Sequence, residues 1–304
     1  MNDLPKVSLR GGFSDRNRIK SENNEIQYTD LDQRTRSQIL NLCNRLYEVR
    51  AKNSKGSEFQ QNLIKSFLTN VYCENVGIGV KFYPEWFFKT HFNKTILKDS
   101  YDAVLTVVEY FCDIVGGDYG LAPNGEPYQG RVEGNVVYVQ DIFNDLFRKE
   151  FVGYRFVNRI ITPITNEQEI QSIEEAVHSP YDEVNEHLDK ALVLLSDREN
   201  PDYPNTIKES ITAVEAMCAL ITGVGNKKAT LGNMLKVLED QGYKIHSSLK
   251  SAFDKLYGYT CDAKGIRHSG DLDGPDATFD EAKYMLVSCS AFVNYLIGVT
   301  SKKV

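Results

Sequence analysis

From Thr165 to the C terminus, apolar residues recur every three or four positions almost without interruption, and this periodicity limits that half of the chain to packed helices. Val184, Leu188, Ala191, Leu192 and Leu195 form one stripe, and Ile207, Ile211, Val214, Cys218 and Ile221 form the next. Gly223 and Gly225 are placed to stop that second helix. Leu231, Leu235 and Leu238 predict a short helix ending at Gly242, and Leu249, Phe253 and Leu256 predict another. Thr165 with Gln168, and Thr278 with Glu281, have the spacing of capping boxes. The second of these opens a last helix along Met285, Leu286, Cys289, Phe292, Val293 and Leu296. Short connections between such pieces favour antiparallel neighbours in a bundle.

The first half reads differently. Leu31, Leu42, Leu46 and Val49 behind Thr29 and Asp30, then Phe59, Leu63, Ile64, Phe67, Leu68 and Val71, predict two amphipathic helices. Tyr83-Pro84-Glu85-Trp86-Phe87-Phe88 reads as an aromatic knot broken by proline, and Tyr101–Val115 is again helical. Eight glycines and prolines between Gly116 and Gly134 predict an internal loop. Val136 to Val139 fits either a strand or the start of a helix around Asp141–Phe151. Tyr154–Val157 and Ile160–Ile164 flank Asn158-Arg159, which is the pattern of a small hairpin. The expected fold is therefore mainly α: a helical N-terminal domain with a β-hairpin over residues 1–165, then a helical bundle over 166–304.

With 304 residues, 41% hydrophobic and 25% charged, each half is large enough to bury a core. The net charge of −7 excludes a uniformly basic nucleic-acid binder. The charge is uneven: residues 1–100 carry 16 basic and 11 acidic residues, 101–170 carry 5 and 11, and 171–304 carry 14 and 20. A surface facing a polyanion is thus expected in the first third or at a local patch. Met1–Arg10 lacks the apolar core of a secretory signal, so a cytoplasmic location is expected. Met285–Val299, about 15 residues interrupted by Ser288, Ser290 and Asn294, is short for a membrane span of roughly 20 residues. Cys43, Cys73, Cys112, Cys218, Cys261 and Cys289 show no zinc-ligand spacing and are expected as thiols in a reducing compartment. No metal or cofactor is expected.

The densest cluster of reactive side chains is Tyr257–Gly270, between the last two predicted helices. Arg267 and His268 are adjacent there. A guanidinium binds two phosphate oxygens and an imidazole moves a proton near neutral pH, so one phosphate could engage both. The structural alternative is that His268 caps a neighbouring helix while Arg267 pairs with one of the acids just downstream. Asp271–Asp276 has its glycine at the fourth place, unlike a calcium loop, and Gly223–Thr230 lacks P-loop spacing. Glu215 stands on an apolar helix, either facing outward or as a polar member of an inner site. His91, His178, His187 and His246 have no acidic or cysteine partner at a spacing that points to catalysis.

Gly12-Phe13-Ser14-Asp15-Arg16-Asn17 followed by Ile19 resembles the opening motif of an N-terminal domain of AbiJ-type abortive-infection proteins of bacteria. Asp197–Tyr203 leading into Ile207–Glu215, with Leu256–Tyr259 and Gly265–His268, resembles a HEPN domain. The resemblance implies an anti-phage effector whose C-terminal bundle is a homodimeric, metal-independent endoribonuclease, with a phage or host trigger sensed by the N-terminal domain and no membrane partner. It implies His268 and Arg267 as catalytic residues, supported by Asp262, Lys264 and Glu215. In active members an Arg stands ahead of the His with four to six residues between; here those places hold Ala263, Asp262 and Cys261. That departure keeps open an inactive bundle that dimerises and binds RNA or nucleotide, or the scaffolding half of a larger complex.

Overall fold

Helical periodicity becomes ten helices and one hairpin among the described residues. The structure, a computed structural model, describes residues 26–53, 85–115, 138–197, 200–223, 231–243, 245–262 and 277–301. The expected helix over Phe59–Val71, the Gly-rich stretch from Gly116 to Gly134 and the segment Gly12–Ile19 lie outside them. The chain divides into two compact units, Met1–Pro163 and Ile164–Val304.

The first unit contains α1 (Gln33–Asn53), α2 (Glu85–Lys98), α3 (Tyr101–Val115), α4 (Val139–Lys149), β1 (Arg155–Val157) and β2 (Ile160–Thr162). Its entry cap is Asp32, whose carboxylate accepts from Thr35 N at 2.8 Å, so the helix opens two to three residues later than Thr29 and Asp30 suggest. Glu85 to Phe88 of the aromatic knot form the first turn of α2, and Tyr83 and Pro84 lie outside the described residues. Of Val136 to Val139, only Val139 is described as part of an element, and it opens α4.

Phenylalanines set the core of this unit. Phe111, Phe143, Phe147 and Phe156 are almost fully buried. Phe143 meets all three others, with ring centroids 6.4, 6.0 and 6.2 Å away. Buried Arg36 ties α1 to the end of α2: its Nε donates to Leu31 O at 2.7 Å and its Nη1 to the carbonyls of Ile96 and Asp99 at 3.2 and 2.7 Å. A buried guanidinium is tolerable because carbonyls take up its donors.

The hairpin forms as expected, with Arg155 paired to Thr162, Phe156 to Ile161 and Val157 to Ile160. Asn158 and Arg159 adopt positive φ of 43° and 74°, the hand that a two-residue turn needs to match the strand twist. A two-stranded ribbon is marginal alone, since both outer edges expose unpaired backbone groups. Side chains from the flanking helices fill that need. Asn144 of α4 accepts from Phe156 N at 2.7 Å and donates to Phe156 O at 3.0 Å, while Glu109 of α3 accepts from Ile161 N at 2.6 Å. Asn144→Ala would strand both backbone groups of Phe156, so a loss of roughly 1–3 kcal/mol is expected, measured as a lower denaturation midpoint of the full chain.

The second unit contains α5 (Glu167–Val177), α6 (Asp182–Ser196), α7 (Tyr203–Thr222), α8 (Leu231–Asp240), α9 (Ser247–Asp262) and α10 (Phe279–Ser301). α7 is central and packs on α6, α8, α9 and α10. Its buried residues, among them Ile207, Ser210, Ala213, Val214, Met217 and Cys218, surround most of the helix, which is what a helix contacted from several sides requires. Asp202 caps its start by accepting from Asn205 N at 3.0 Å, and Gly223 ends it in the left-handed conformation at φ 71°. α5 is capped by Asn166 rather than by a Thr165–Gln168 box: the Asn166 side chain accepts from Gln168 N and Glu169 N at 2.9 and 3.2 Å.

α10 runs 23 residues, longer than the apolar run Met285–Val299 within it. Among the described residues it is the one helix that length and composition would let cross a membrane. Its polar residues belong to the bundle: Ser290 is buried, and Asn294 donates to Ser172 O of α5 at 2.9 Å. Ala282, Met285, Leu286, Cys289, Phe292, Val293 and Leu296 are buried, as the stripe predicts, and α10 packs on α5, α6 and α7.

Candidate functional site

The reactive cluster Tyr257–Gly270 does not lie wholly between the last two helices as expected: Tyr257–Asp262 form the C-terminal end of α9, which runs further than its Leu249, Phe253 and Leu256 stripe suggests. Lys264, Arg267 and His268 lie outside the described residues. Asp262 is the last residue of α9, and its side chain also lies outside the description. The structure therefore fixes the two helices that enter and leave this stretch, and the contacts at their ends.

α10 is opened by the expected capping box. Thr278 N and Thr278 Oγ1 both donate to Glu281 Oε2 at 2.8 Å, and Glu281 N reaches back to Thr278 Oγ1 at 3.3 Å. The same carboxylate accepts from the Tyr259 hydroxyl on α9. Burial, then the Glu281 charge and this hydrogen bond, raises the Tyr259 phenol above its ordinary value. The backbone and hydroxyl of Thr278, followed by Tyr259, lower the Glu281 carboxyl. One acid thus holds the end of α9 and the start of α10 together. Phe253 of α9 also lies against Phe292 of α10, with the ring planes 18° apart.

This arrangement has a pH consequence. A carboxyl whose folded pKa is lowered stabilises the fold above its ordinary range, and that contribution is lost as pH falls through the lowered value. Glu281→Gln is therefore expected to melt below the wild type at neutral pH, with the gap closing in acid. Melting curves across the acidic range check this; a gap independent of pH contradicts it.

Glu215 sits on α7, half-buried between the buried residues Val214 and Ala216. It lies close enough to Cys218, one turn on, for its charge to add to burial in raising that thiol, which is pushed up to about 12. Burial alone pushes Cys289 up to about 12 as well, and Cys43 and Cys112 are also buried with raised pKa values. These four are free, unreactive thiols, as the sequence predicts. Cys73 and the side chain of Cys261 lie outside the described residues. No group of three His, Cys, Asp or Glu side chains stands ready to hold a metal ion among the described residues.

One polar pair escaped the sequence reading. His187 of α6 lies 2.7 Å from Glu209 of α7 through Nδ1 and Oε2, with side-chain exposures of 22% and 19%. A carboxylate can only accept, so Nδ1 carries the proton and the ring orientation is fixed. Lys190, paired with Glu186 at 2.8 Å, extends the charged seam. The pair is 22 residues apart in sequence, and only the pairing of α6 with α7 brings it together. A polar residue at the edge of each apolar stripe is the signal that could have suggested it.

Comparison with known proteins bears on the first unit and the start of the second. The family model for AbiJ N-terminal domain 4 matches residues 11–179, which ends just after α5. No curated protein and no solved structure gives a significant match to the chain. The matched span covers more than half of the 304 residues. The chain belongs to the AbiJ N-terminal domain 4 family and is an abortive-infection defence protein.

Proposed function

We propose that the chain is a cytoplasmic anti-phage effector whose C-terminal unit is a HEPN-type, metal-independent endoribonuclease acting as a homodimer. The observation that carries this reading is the joining of an AbiJ N-terminal domain to an all-helical unit whose basic Lys264–His268 segment follows α9 and precedes the capped α10. In the proposed reaction the ribose 2′-oxygen attacks the adjacent phosphorus and the bond to the 5′-oxygen breaks, leaving a 2′,3′-cyclic phosphate and a 5′-hydroxyl. His268 removes the 2′-hydroxyl proton or returns one to the leaving oxygen, and Arg267 stabilises the charge on the phosphate. Lys264 adds positive potential in an otherwise acidic half of the chain. Asp262 orients His268 or Arg267, and Glu215 supports the site from α7. A dimer doubles the available Arg267 and Lys264.

A second reading rests on a specific observation: Ala263, Asp262 and Cys261 stand where active relatives of the resembled fold carry arginine. On that reading the bundle dimerises and binds RNA or nucleotide without cutting. Expression in cells separates the two. Toxicity that requires intact Arg267 and His268 supports catalysis, and equal toxicity of the Arg267→Ala/His268→Ala variant supports binding alone.

A further inference from the structure

Less of α10 is covered than its composition calls for. A helix that is apolar on every side is normally enclosed, yet only 39% of the most apolar stretch of α10 is buried. One side packs on α5, α6 and α7. With about 3.6 residues per turn, Tyr284, Ser288, Ala291, Tyr295 and Gly298 share another. Tyr284 is 57% exposed, Ala291 is exposed, and Ser288, Tyr295 and Gly298 are half-buried. Tyr295 stacks on Phe292 with ring centroids 5.8 Å apart, so its ring is a fixed part of this surface. Nothing lies within 4 Å of the point where a Cβ on Gly298 would stand. From Ala282 to Ser301 the only charged residue is Lys283, which pairs with Glu169 of α5 at 3.5 Å. The stripe from Tyr284 to Gly298 is therefore uncharged over about 21 Å, in a half of the chain where acids outnumber bases.

We propose that this stripe is the face through which two copies of the chain associate, with α10 antiparallel to α10 about a two-fold axis at Ala291. Ala291 stands midway between Tyr284 and Gly298, seven residues from each. An isologous contact centred there brings Tyr284 of one copy to the height of Gly298 of the other, and the symmetry repeats the match. The exposed phenol ring meets open space, and the small Ala291 at the axis lets the two helices come close. Copies with a net charge of −7 repel one another, and the uncharged stripe is where they approach at least cost. A charged partner would find nothing on the stripe to pair with. A bilayer is a poorer occupant, because α10 is already packed on three helices and carries buried Ser290. The inference rests on the homodimer in the proposed function and says which surface forms it; it does not require the chain to cut RNA.

The test measures the mass of the full chain in solution by sedimentation across a dilution series. The wild type is expected to be a dimer. Ala291→Glu sets two carboxylates against each other on the axis and is expected to weaken association roughly a hundredfold. Gly298→Leu meets nothing within one copy but fills the space that Tyr284 of the second copy enters, and is expected to weaken association about tenfold. Adding Tyr284→Ala to Gly298→Leu is expected to restore most of that loss, a rescue that no general effect on folding would produce. A short bismaleimide should link Ala291→Cys chains in pairs and leave Val193→Cys chains, altered at an exposed site on α6, unlinked. All variants should keep the helical circular dichroism of the wild type. A monomeric wild type would overturn the proposal, as would a dimer that withstands Ala291→Glu or a Gly298→Leu loss that Tyr284→Ala does not relieve. A monomer that binds phosphatidylcholine vesicles through this face would assign it to a bilayer instead. A dimer broken by Ala291→Glu that never cuts RNA would retain this face and remove the nuclease; cleavage by a dimer indifferent to these variants would do the reverse.

Discussion

On the proposed nuclease reading, His268→Ala is expected to reduce RNA cleavage by roughly 10²–10⁴-fold while leaving the fold intact. That range is what a positioned general acid or base contributes. The imidazole is the side-chain type best suited to this role, because its reference pKa lies near neutral pH, whereas lysine and aspartate side chains have reference values several units away. Arg267→Ala should cost roughly 10²–10³-fold through loss of charge stabilisation. Arg267→Lys should rescue little, since an ammonium cannot bind two phosphate oxygens in a fork. Cleavage assays with purified variants check all three. Retention of full activity in His268→Ala would remove the imidazole from the chemistry whatever the other variants do.

The second large effect is on stability. Phe143 is fully buried, at the meeting point of α3, α4 and the hairpin, and contacts Phe111, Phe147 and Phe156. Phe143→Ala removes a ring from three neighbours that cannot all collapse into the space, so a loss of about 3–5 kcal/mol is expected. With a urea dependence of about 2 kcal/mol per molar, the transition of the first unit should move down by on the order of 2 M. A shift below about 0.5 M would mean that this cluster does not organise the unit.

The features legible in the sequence are those written in short-range pattern. The turn at Asn158-Arg159, the stops at Gly223 and Gly242, the Thr278–Glu281 box and the apolar stripes of α6 to α10 each depend on residues within one or two turns of one another. The features that escaped depend on residues brought together by packing. Glu109 and Ile161 are 52 positions apart, Arg36 and Asp99 are 63 apart, and His187 and Glu209 are 22 apart. A carboxylate or guanidinium on an amphipathic helix looks alike whether it ends in water or on a neighbour's backbone.

The same reasoning explains why Asn166 displaced Thr165 as a cap. Both residues have the right chemistry, and one step of register, set by where Ile170 and Ile173 must be buried, decides which of them faces the free N–H groups. Tyr259 and Glu281 combine both cases: the acid is legible as half of a capping box, and its second partner on α9 is not.

For the candidate site, the two helices that bracket Lys264–His268 were legible, and Glu215 is half-buried on α7. Its neighbourhood with Cys218 follows from helical spacing alone. The distance between Glu215 and His268 is a matter of tertiary placement that no local pattern encodes.

The most direct measurement is the fate of total RNA incubated with purified protein in excess chelator, with the new ends analysed chemically. The account predicts cleavage that persists without divalent metal, leaves 2′,3′-cyclic phosphate and 5′-hydroxyl ends, and disappears in His268→Ala. RNA that stays intact, or cleavage that survives in His268→Ala, would contradict it.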